Sequence, residues 1–307
     1  MIETKRLTKY YGSLGALVDL DLHIKAGDIF GFVGPNGAGK TTTMRILATL
    51  LEPSRGSAFI DGMDVARKGR AVRRLVGYMP DFMGVYDDLK VFEYLEFFAA
   101  AFGIEARRRR ALVDGVLELT DLMSKRAATV DSLSRGMQQR LGLARVLIHD
   151  PKVLILDEPA SGLDPRARIE IRELLRTLKR MGKTVMISSH ILSELEEICD
   201  QIGIIERGRL VFSGNLEGIR QRLGLQSKLR VRVAGPPEKA LELLAALPQI
   251  AGAQLAGDQI VLTFRDGSPD GVVARTLVQG NFDVLALEPE HLKLDDAFLQ
   301  LTKGIVH

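Results

Sequence analysis

The sequence predicts two successive folds, an α/β domain over residues 1–224 and a small α+β domain over residues 225–307. Three observations carry this. Strand-like apolar segments alternate with amphipathic helical ones from residue 29 to about 200, the pattern of a largely parallel sheet. Val153-Leu-Ile-Leu156 is a continuous apolar run, as a strand buried on both faces requires. After Gly214 the pattern changes, and a β-α-β-β-α-β succession follows a linker at Gly224–Ser227.

The elements follow in order. Residues 2–10 read as a strand, and Leu20, Leu22 and Ile24 alternate with Asp21 and His23, which leaves His23 on a solvated face. Ile29–Val33 is an apolar strand, and Met44, Leu47, Ala48 and Leu51 behind it have helical spacing. Ala58–Ile60 ends in the hairpin dipeptide Asp61-Gly62. Val76–Met79 is a short strand closed by Pro80. Phe92, Leu95, Phe98, Ala99 and Phe102 form one helical stripe, expected to pack inward, while Phe82, Met83 and Tyr86 are expected to be available for contact with a partner. Arg107–Arg110 opens another helix with Leu112, Val116 and Leu119 on its apolar side. Ile169–Leu178 is helical, Thr184–Ser188 a strand, and Gln201–Glu206 and Leu210–Ser213 flank a hairpin turn at Arg207-Gly208. The second domain follows a helix at Leu216–Leu223. It reads as strand Lys228–Val233, helix Glu238–Leu247, strands Ile250–Leu255 and Gln259–Phe264, helix Pro269–Gln279, strand Phe282–Leu287 and helix His291–Leu301. It carries no chemical motif; His291 and Asp295-Asp296 read as helix-start and surface residues.

Composition excludes several classes. The chain has 307 residues, too many for one typical domain, and 46% of them are hydrophobic, enough for a sizeable core. A net charge of +3 is too small to argue for nucleic acid by itself. One cysteine, Cys199, rules out an internal disulfide framework and fits a reducing compartment. It shares a helical face with Leu195 and Ile198, so it reads as a core thiol. The N-terminus is charged, and no apolar run approaches the roughly 18 residues needed to span a bilayer. The expectation is a soluble chain that reaches a membrane only through a partner.

Three motifs carry chemistry. Gly34-Pro35-Asn36-Gly37-Ala38-Gly39-Lys40-Thr41, followed by Thr42, fits the phosphate loop G-x-x-x-x-G-K-[ST] and sits between a strand and a helix. Glycines let backbone N–H groups turn toward phosphate oxygens, and the helix points its positive end at them. Lys40 would reach the β- and γ-phosphates and Thr41 would ligate Mg²⁺. Asp157-Glu158 ends the buried strand. Asp157 would hold the hydration shell of Mg²⁺, and Glu158 would orient the attacking water. Upstream, Leu133-Ser134-Arg135-Gly136 opens a helix, where Ser134 and free backbone N–H groups make an anion site.

In order and spacing, the phosphate loop, Leu133-Ser-x-Gly136, Asp157-Glu158, Ser161-Gly-Leu-Asp164 and Ser188-Ser-His190 resemble the nucleotide-binding subunits of ATP-binding cassette (ABC) transporters, over roughly residues 1–215. Gly77–Tyr86 and Asp295–Thr302 are similar to ATPase subunits of bacterial exporters of drug, lipid or polysaccharide type. The resemblance implies a P-loop NTPase cassette: a mainly parallel sheet core, an antiparallel β subdomain and a helical subdomain at about 82–150. It implies an ATPase that uses ATP and Mg²⁺ and works as a head-to-tail pair, with a second copy or a paralogue. It also implies a separate membrane permease and a cytoplasmic place at the inner face of the membrane. Tyr11 matches the aromatic that stacks on adenine; Tyr10 points the other way in a strand. Pro35 to Thr42 would surround the phosphates, Ser134 and Gly136 would contact the γ-phosphate on the other subunit, and Asp164 would reach across the interface. His190 would contact and sense the γ-phosphate. Phe82–Leu89 would receive the permease. An ATPase acting on nucleic acid or ribosomes fits less well, because the chain has one cassette and no long heptad insertion. An import ATPase is the third reading.

Three residues depart from the family pattern. Arg135 and Met137 replace glycine and glutamine in the usual Leu-Ser-Gly-Gly-Gln, and Asp81 stands where a glutamine usually ligates Mg²⁺. Aspartate is one methylene shorter and adds a negative charge, so Asp81 is expected to reach the ion through water or after loop closure.

Overall fold

The computed structural model describes residues 1–82, 84, 88–215, 218–219, 228–265 and 271–290. It divides into two compact units, with the boundary between Leu216 and Glu217. The first half of unit one runs β1 (Ile2–Tyr11), β2 (Leu14–Ile24), β3 (Ile29–Val33), α1 (Lys40–Leu47), β4 (Arg55–Ile60), β5 (Met63–Asp64), α2 (Gly69–Leu75), β6 (Val76–Met79) and α3 (Val91–Ala101). Then come α4 (Ala106–Leu119), α5 (Arg135–Leu147), β7 (Val153–Leu156), α6 (Pro165–Arg180), β8 (Thr184–Ser189), α7 (Ser193–Glu196), β9 (Gln201–Glu206) and β10 (Arg209–Gly214).

The central sheet has the order β10-β9-β3-β8-β7-β6. Its four pairings from β9 to β6 are parallel, and β10 closes the edge as an antiparallel hairpin on β9. Every residue of β3, β7 and β8 is buried, which is why β3 and β7 carry no polar side chain and do not alternate, while β8 buries the hydroxyls of Thr184, Ser188 and Ser189. A second sheet, β2-β1-β4-β5, is antiparallel. Along β2, Leu20, Leu22 and Ile24 are buried and Asp21 and His23 exposed, as the alternation predicts. One apolar core joins Leu20 and Ile24 of this sheet, Met44 and Leu47 of α1, and Phe30, Ile155 and Met186 of the central sheet. Both expected hairpin turns have two consecutive left-handed residues, Asp61-Gly62 (φ 50° and 73°) and Arg207-Gly208 (φ 48° and 75°), the backbone of a type I′ turn.

Two helix faces differ from the sequence expectation. On α3 the buried residues are Val91, Tyr94, Leu95 and Ala99, while Phe92 is half-buried and Phe102 exposed. On α4 they are Val113, Val116 and Leu117, not Leu112 and Leu119. In both, the apolar residues cover more than one face, so spacing alone cannot say which side meets the core. Helix α6 starts four residues before Ile169, because Asp164 caps it and Pro165 holds a first-turn position that needs no N–H donor.

Unit two is β11 (Lys228–Val233), α8 (Pro237–Ala245), β12 (Ile250–Ala256), β13 (Gln259–Phe264), α9 (Val272–Gln279) and β14 (Val284–Glu290). Its antiparallel sheet has the order β12-β13-β11-β14, with the first and last strands side by side. It has its own core, including Leu229, Val231, Leu244, Ile260, Leu262 and Leu277. Strand β14 begins two residues later than expected, after Asn281 takes a left-handed φ of 58°. The linker Gly224–Ser227, the helix His291–Leu301, most of Leu216–Leu223, and Met83 and Tyr86 lie outside the described residues.

Candidate functional site

The phosphate-loop residues connect β3 to α1 across the top of the central sheet. Close packing dictates their glycines. A Cβ at Gly34 would stand 2.3 Å from the Ile205 carbonyl oxygen, and one at Gly39 would stand 2.6 Å from that of Ala16, with φ already at +110°. Lys40, the first residue of α1, folds back over the loop. Its Nζ donates to Gly34 O at 2.6 Å and Pro35 O at 3.4 Å, and lies 3.4 Å from Glu158 Oε1. Only 6% of its side chain is exposed, so the ammonium is a fixed charge at the loop's centre.

Strand β7 ends beside this loop. Asp157 is buried, and its N–H donates to Met79 O at 2.9 Å. The Ser188 hydroxyl at the end of β8 donates to Asp157 Oδ1 at 2.6 Å and accepts from Glu158 N at 2.9 Å. Glu158 takes a left-handed φ of 49°, which turns its side chain out of the sheet toward the cavity. Its Oε2 meets His190 Nδ1 at 2.9 Å. The carboxylate is thus held between Lys40 and His190. Asp81 completes the wall. Burial first, then the charges of Asp157 and Glu158, raise its carboxyl above the ordinary aspartate range, against the pull of Arg135 and His190.

Pro35 to Thr42, Asp81, Glu158, Ser161 and His190 line one cavity of about 280 Å³. Gly34 frames it and Asp157 stands behind it through Ser188. Four further sequence-predicted residues lie elsewhere. Ser134, Gly136 and Asp164 line a second cleft, of about 320 Å³, with Arg135, Gly162 and Leu163. Ser134 Oγ caps α5 by accepting from Met137 N at 3.4 Å, and Asp164 Oδ1 caps α6 by accepting from Ala167 N at 2.7 Å. Tyr10 and Tyr11 are both exposed; the Tyr10 ring lies on Gly15, and the Lys9 ammonium is 5.5 Å from the Tyr11 ring centroid. Neither tyrosine lines the cavity.

The donor set suits a cation that keeps most of its own shell. Among the described residues no three His, Cys, Asp or Glu side chains form a metal cage. Mg²⁺ does not need one: it takes one or two protein carboxylates plus phosphate oxygens and water. Asp81 is raised first by burial and then by the charges of Asp157 and Glu158, and a divalent cation beside these carboxylates would oppose that second cause. Thr41, Asp157 and Asp81 are the residues that would hold it.

Sequence reasoning singled out Ser188 only as part of a string; its bridge between the two carboxylate residues needs the β7–β8 pairing to be seen. Cys199 is a core thiol, packed with Leu195 against Gly31 of β3, and burial raises its pKa.

A family model described as ABC transporter matches residues 17–161. The chain is 37% identical to the Nod factor export ATP-binding protein I of Paraburkholderia xenovorans, over 98% of this chain and 96% of that protein. It is 35% identical to the bacitracin transport ATP-binding protein BcrA of Bacillus licheniformis, over 99% and 98% of the two chains. Among solved structures, an ATP binding subunit of an ABC transporter matches with a TM-score of 0.67 at 31% identity, covering 73% of this chain and 94% of that one. The protein cbiO1 of Clostridium perfringens, part of the ABC transporter complex cbiONQ, matches with a TM-score of 0.64 at 28% identity, over 73% and 94%. A dimeric ATP-binding cassette bound to ADP and Pi matches with a TM-score of 0.64 at 25% identity, over 70% and 99%. Shared almost from end to end with such relatives, the chain belongs to the ATP-binding subunits of ABC transporters and is an ATPase coupled to transport.

Proposed function

We propose that two copies of this chain, or one copy and a paralogue, pair head to tail and hydrolyse MgATP to drive export through a separate membrane permease. The observation that carries the reading is the separation of the two clefts. Glu158, Lys40 and His190 meet at the phosphate loop, while Ser134, Gly136 and Asp164 share a different cleft on the same chain. Neither cleft holds all the groups the reaction needs, so each is half of a composite site that a second cassette completes. A dimeric relative supports this pairing. Export is supported by the relatives named for Nod factor export and bacitracin transport, and attachment to a permease by cbiO1 as part of a transporter complex. Among the described residues no helix is long and apolar enough to cross a membrane. The chain would therefore sit at the cytoplasmic face through its permease, with Phe82, 85% exposed, in the region that receives it. Residues 1–224 would form the ATP-binding domain and residues 225–307 an accessory domain.

Each residue has a role. Lys40 and the N–H groups of Pro35 to Thr42 bind the β- and γ-phosphates. Tyr11 stacks on adenine. Thr41, Asp157 and Asp81 would hold Mg²⁺, which would supply charge neutralisation at the phosphates. Glu158 aligns the attacking water and takes up its proton. His190, 2.9 Å from Glu158, keeps that carboxylate aimed and reaches for the γ-phosphate. Ser134 and Gly136 of the second copy close over it. Glu158→Gln keeps the shape and loses the base, so turnover should fall about 10²- to 10⁴-fold. ATP should then hold the variant as a dimer in size-exclusion chromatography. Undiminished turnover in Glu158→Gln would refute the assignment.

A further inference from the structure

We infer that Arg135 is a positioning residue that links the two ATP half-sites within one subunit, through the seat of its guanidinium on Gly162. The inference rests on the paired-copy reading above. It starts from an oddity of α5. Arg135 is the first residue of this helix, where a cation opposes the positive end of the helix dipole. No acidic residue stands in the first turn to offset it, and the charge Arg135 acts on is that of Asp81, outside the helix, with which it forms no hydrogen bond or close ion pair among the described residues. Helix stability therefore does not explain an arginine at this position.

Its contact does. A Cβ at Gly162 would lie 2.5 Å from Arg135 Cζ and 2.6 Å from each terminal nitrogen. The planar guanidinium thus covers the face of Gly162 where a side chain would begin, and Gly162 is left-handed at φ +65°. A flat delocalised group can lie there; an ammonium on a flexible stem cannot reproduce it. Gly162 sits in the turn that leaves the catalytic carboxylate. Ser161 N donates to Glu158 O at 3.0 Å, Leu163 N donates to Ala160 O at 3.3 Å, and Asp164 then caps α6. A displacement of Gly162 is therefore transmitted through a short hydrogen-bonded turn to Glu158. At the other end, Ser134 and Gly136 flank Arg135 and line the same cleft. The phosphate that arrives there belongs to the partner's ATP, whereas Glu158 acts on the subunit's own. The Arg135–Gly162 contact lets the partner's nucleotide set the aim of this subunit's catalytic carboxylate.

The test uses the full chain, with steady-state ATPase rates measured against ATP concentration for the parent, Arg135→Ala, Arg135→Lys and Gly162→Ala. The parent should give a sigmoidal curve. Arg135→Ala should give a hyperbolic one, with kcat lowered about five- to tenfold and half-saturating ATP changed less. Arg135→Lys should behave like the alanine variant, because charge without the planar face does not restore the seat. Gly162→Ala should resemble both, and the double variant should be no worse than either single one. Placed in the Glu158→Gln background, Arg135→Ala should still form the ATP-dependent dimer. Full rescue by lysine, or loss of that dimer, would mean that Arg135 serves as a charge on the phosphate and would overturn the link. A parental curve in Arg135→Ala would overturn it too, while leaving the paired-copy reading intact. A hyperbolic parent with no ATP-dependent dimer would instead bring down the paired-copy reading itself.

Discussion

Ser188 joins the two acidic residues of the site with one hydroxyl, donating to Asp157 and accepting from the Glu158 backbone. Asp157 is 1% exposed, so water cannot replace the lost donor. Ser188→Ala should cost about 2–3 kcal/mol in urea unfolding, the range for a buried charged acceptor left without its partner. It should also lower turnover, because Glu158 loses a restraint on its left-handed backbone. At this scale the sequence is most legible where a motif demands one residue type for one task. Lys40, Asp157 and Glu158 could be picked out because loop, strand end and spacing converge on them. Ser188 could not, because its task depends on which strand lies beside β7.

Among the elements, strands were easier to read than helix faces. Strands β6 and β7 end where the apolar letters end, but of the expected stripes on α3 and α4 only Leu95, Ala99 and Val116 are buried, and Val91, Tyr94, Val113 and Leu117 are buried beside them. Their aromatic and aliphatic residues spread round the helix, and only packing against neighbours decides which go inside. A histidine two residues past α5 supplies a test of that packing. His149 Nε2 lies 3.1 Å from Val76 O and so carries the proton, and the ring stacks on Phe102 at 3.9 Å. Burial, the leading cause, holds its pKa below the usual 6.5. The folded chain then binds fewer protons here than the unfolded one between the lowered value and 6.5. Stability from this group is complete above that window and is lost as pH falls through it. His149→Gln should flatten this part of the profile of melting temperature against pH, while the parent's melting temperature drops on acidification.

For the molecule as a whole, each unit has a separate hydrophobic core. Heating the full chain in a calorimeter should give two transitions. MgATP should raise only the one belonging to unit one, by about 2.7 kcal/mol of stabilisation at a hundredfold excess over Kd. One transition that moves as a block would show instead that the units melt together. The succession of elements in unit two was legible from β11, where Leu229, Val231 and Val233 are buried and Arg230 and Arg232 exposed. The sheet orders were not. Strand β3 lies between β8 and β9, more than 150 residues away, and β11 lies beside β14. Local periodicity contains no record of such pairings; they follow from how crossovers pack. The division of the functional groups between two clefts is a property of the same kind, visible only once the chain is folded.

The left-handed backbone of Glu158 has an evolutionary consequence. An L-residue held there carries about 1–2 kcal/mol of strain that glycine would not. Mutational drift toward a more relaxed fold therefore leads, at this one position, toward a chain without its catalytic carboxylate. Such a chain keeps its phosphate loop and its pairing surface. In a paired machine it would be worse than a missing subunit, because it would engage a sound partner and hold it closed around ATP. The assembly would thus be exposed to dominant poisoning at a residue whose own backbone favours its replacement.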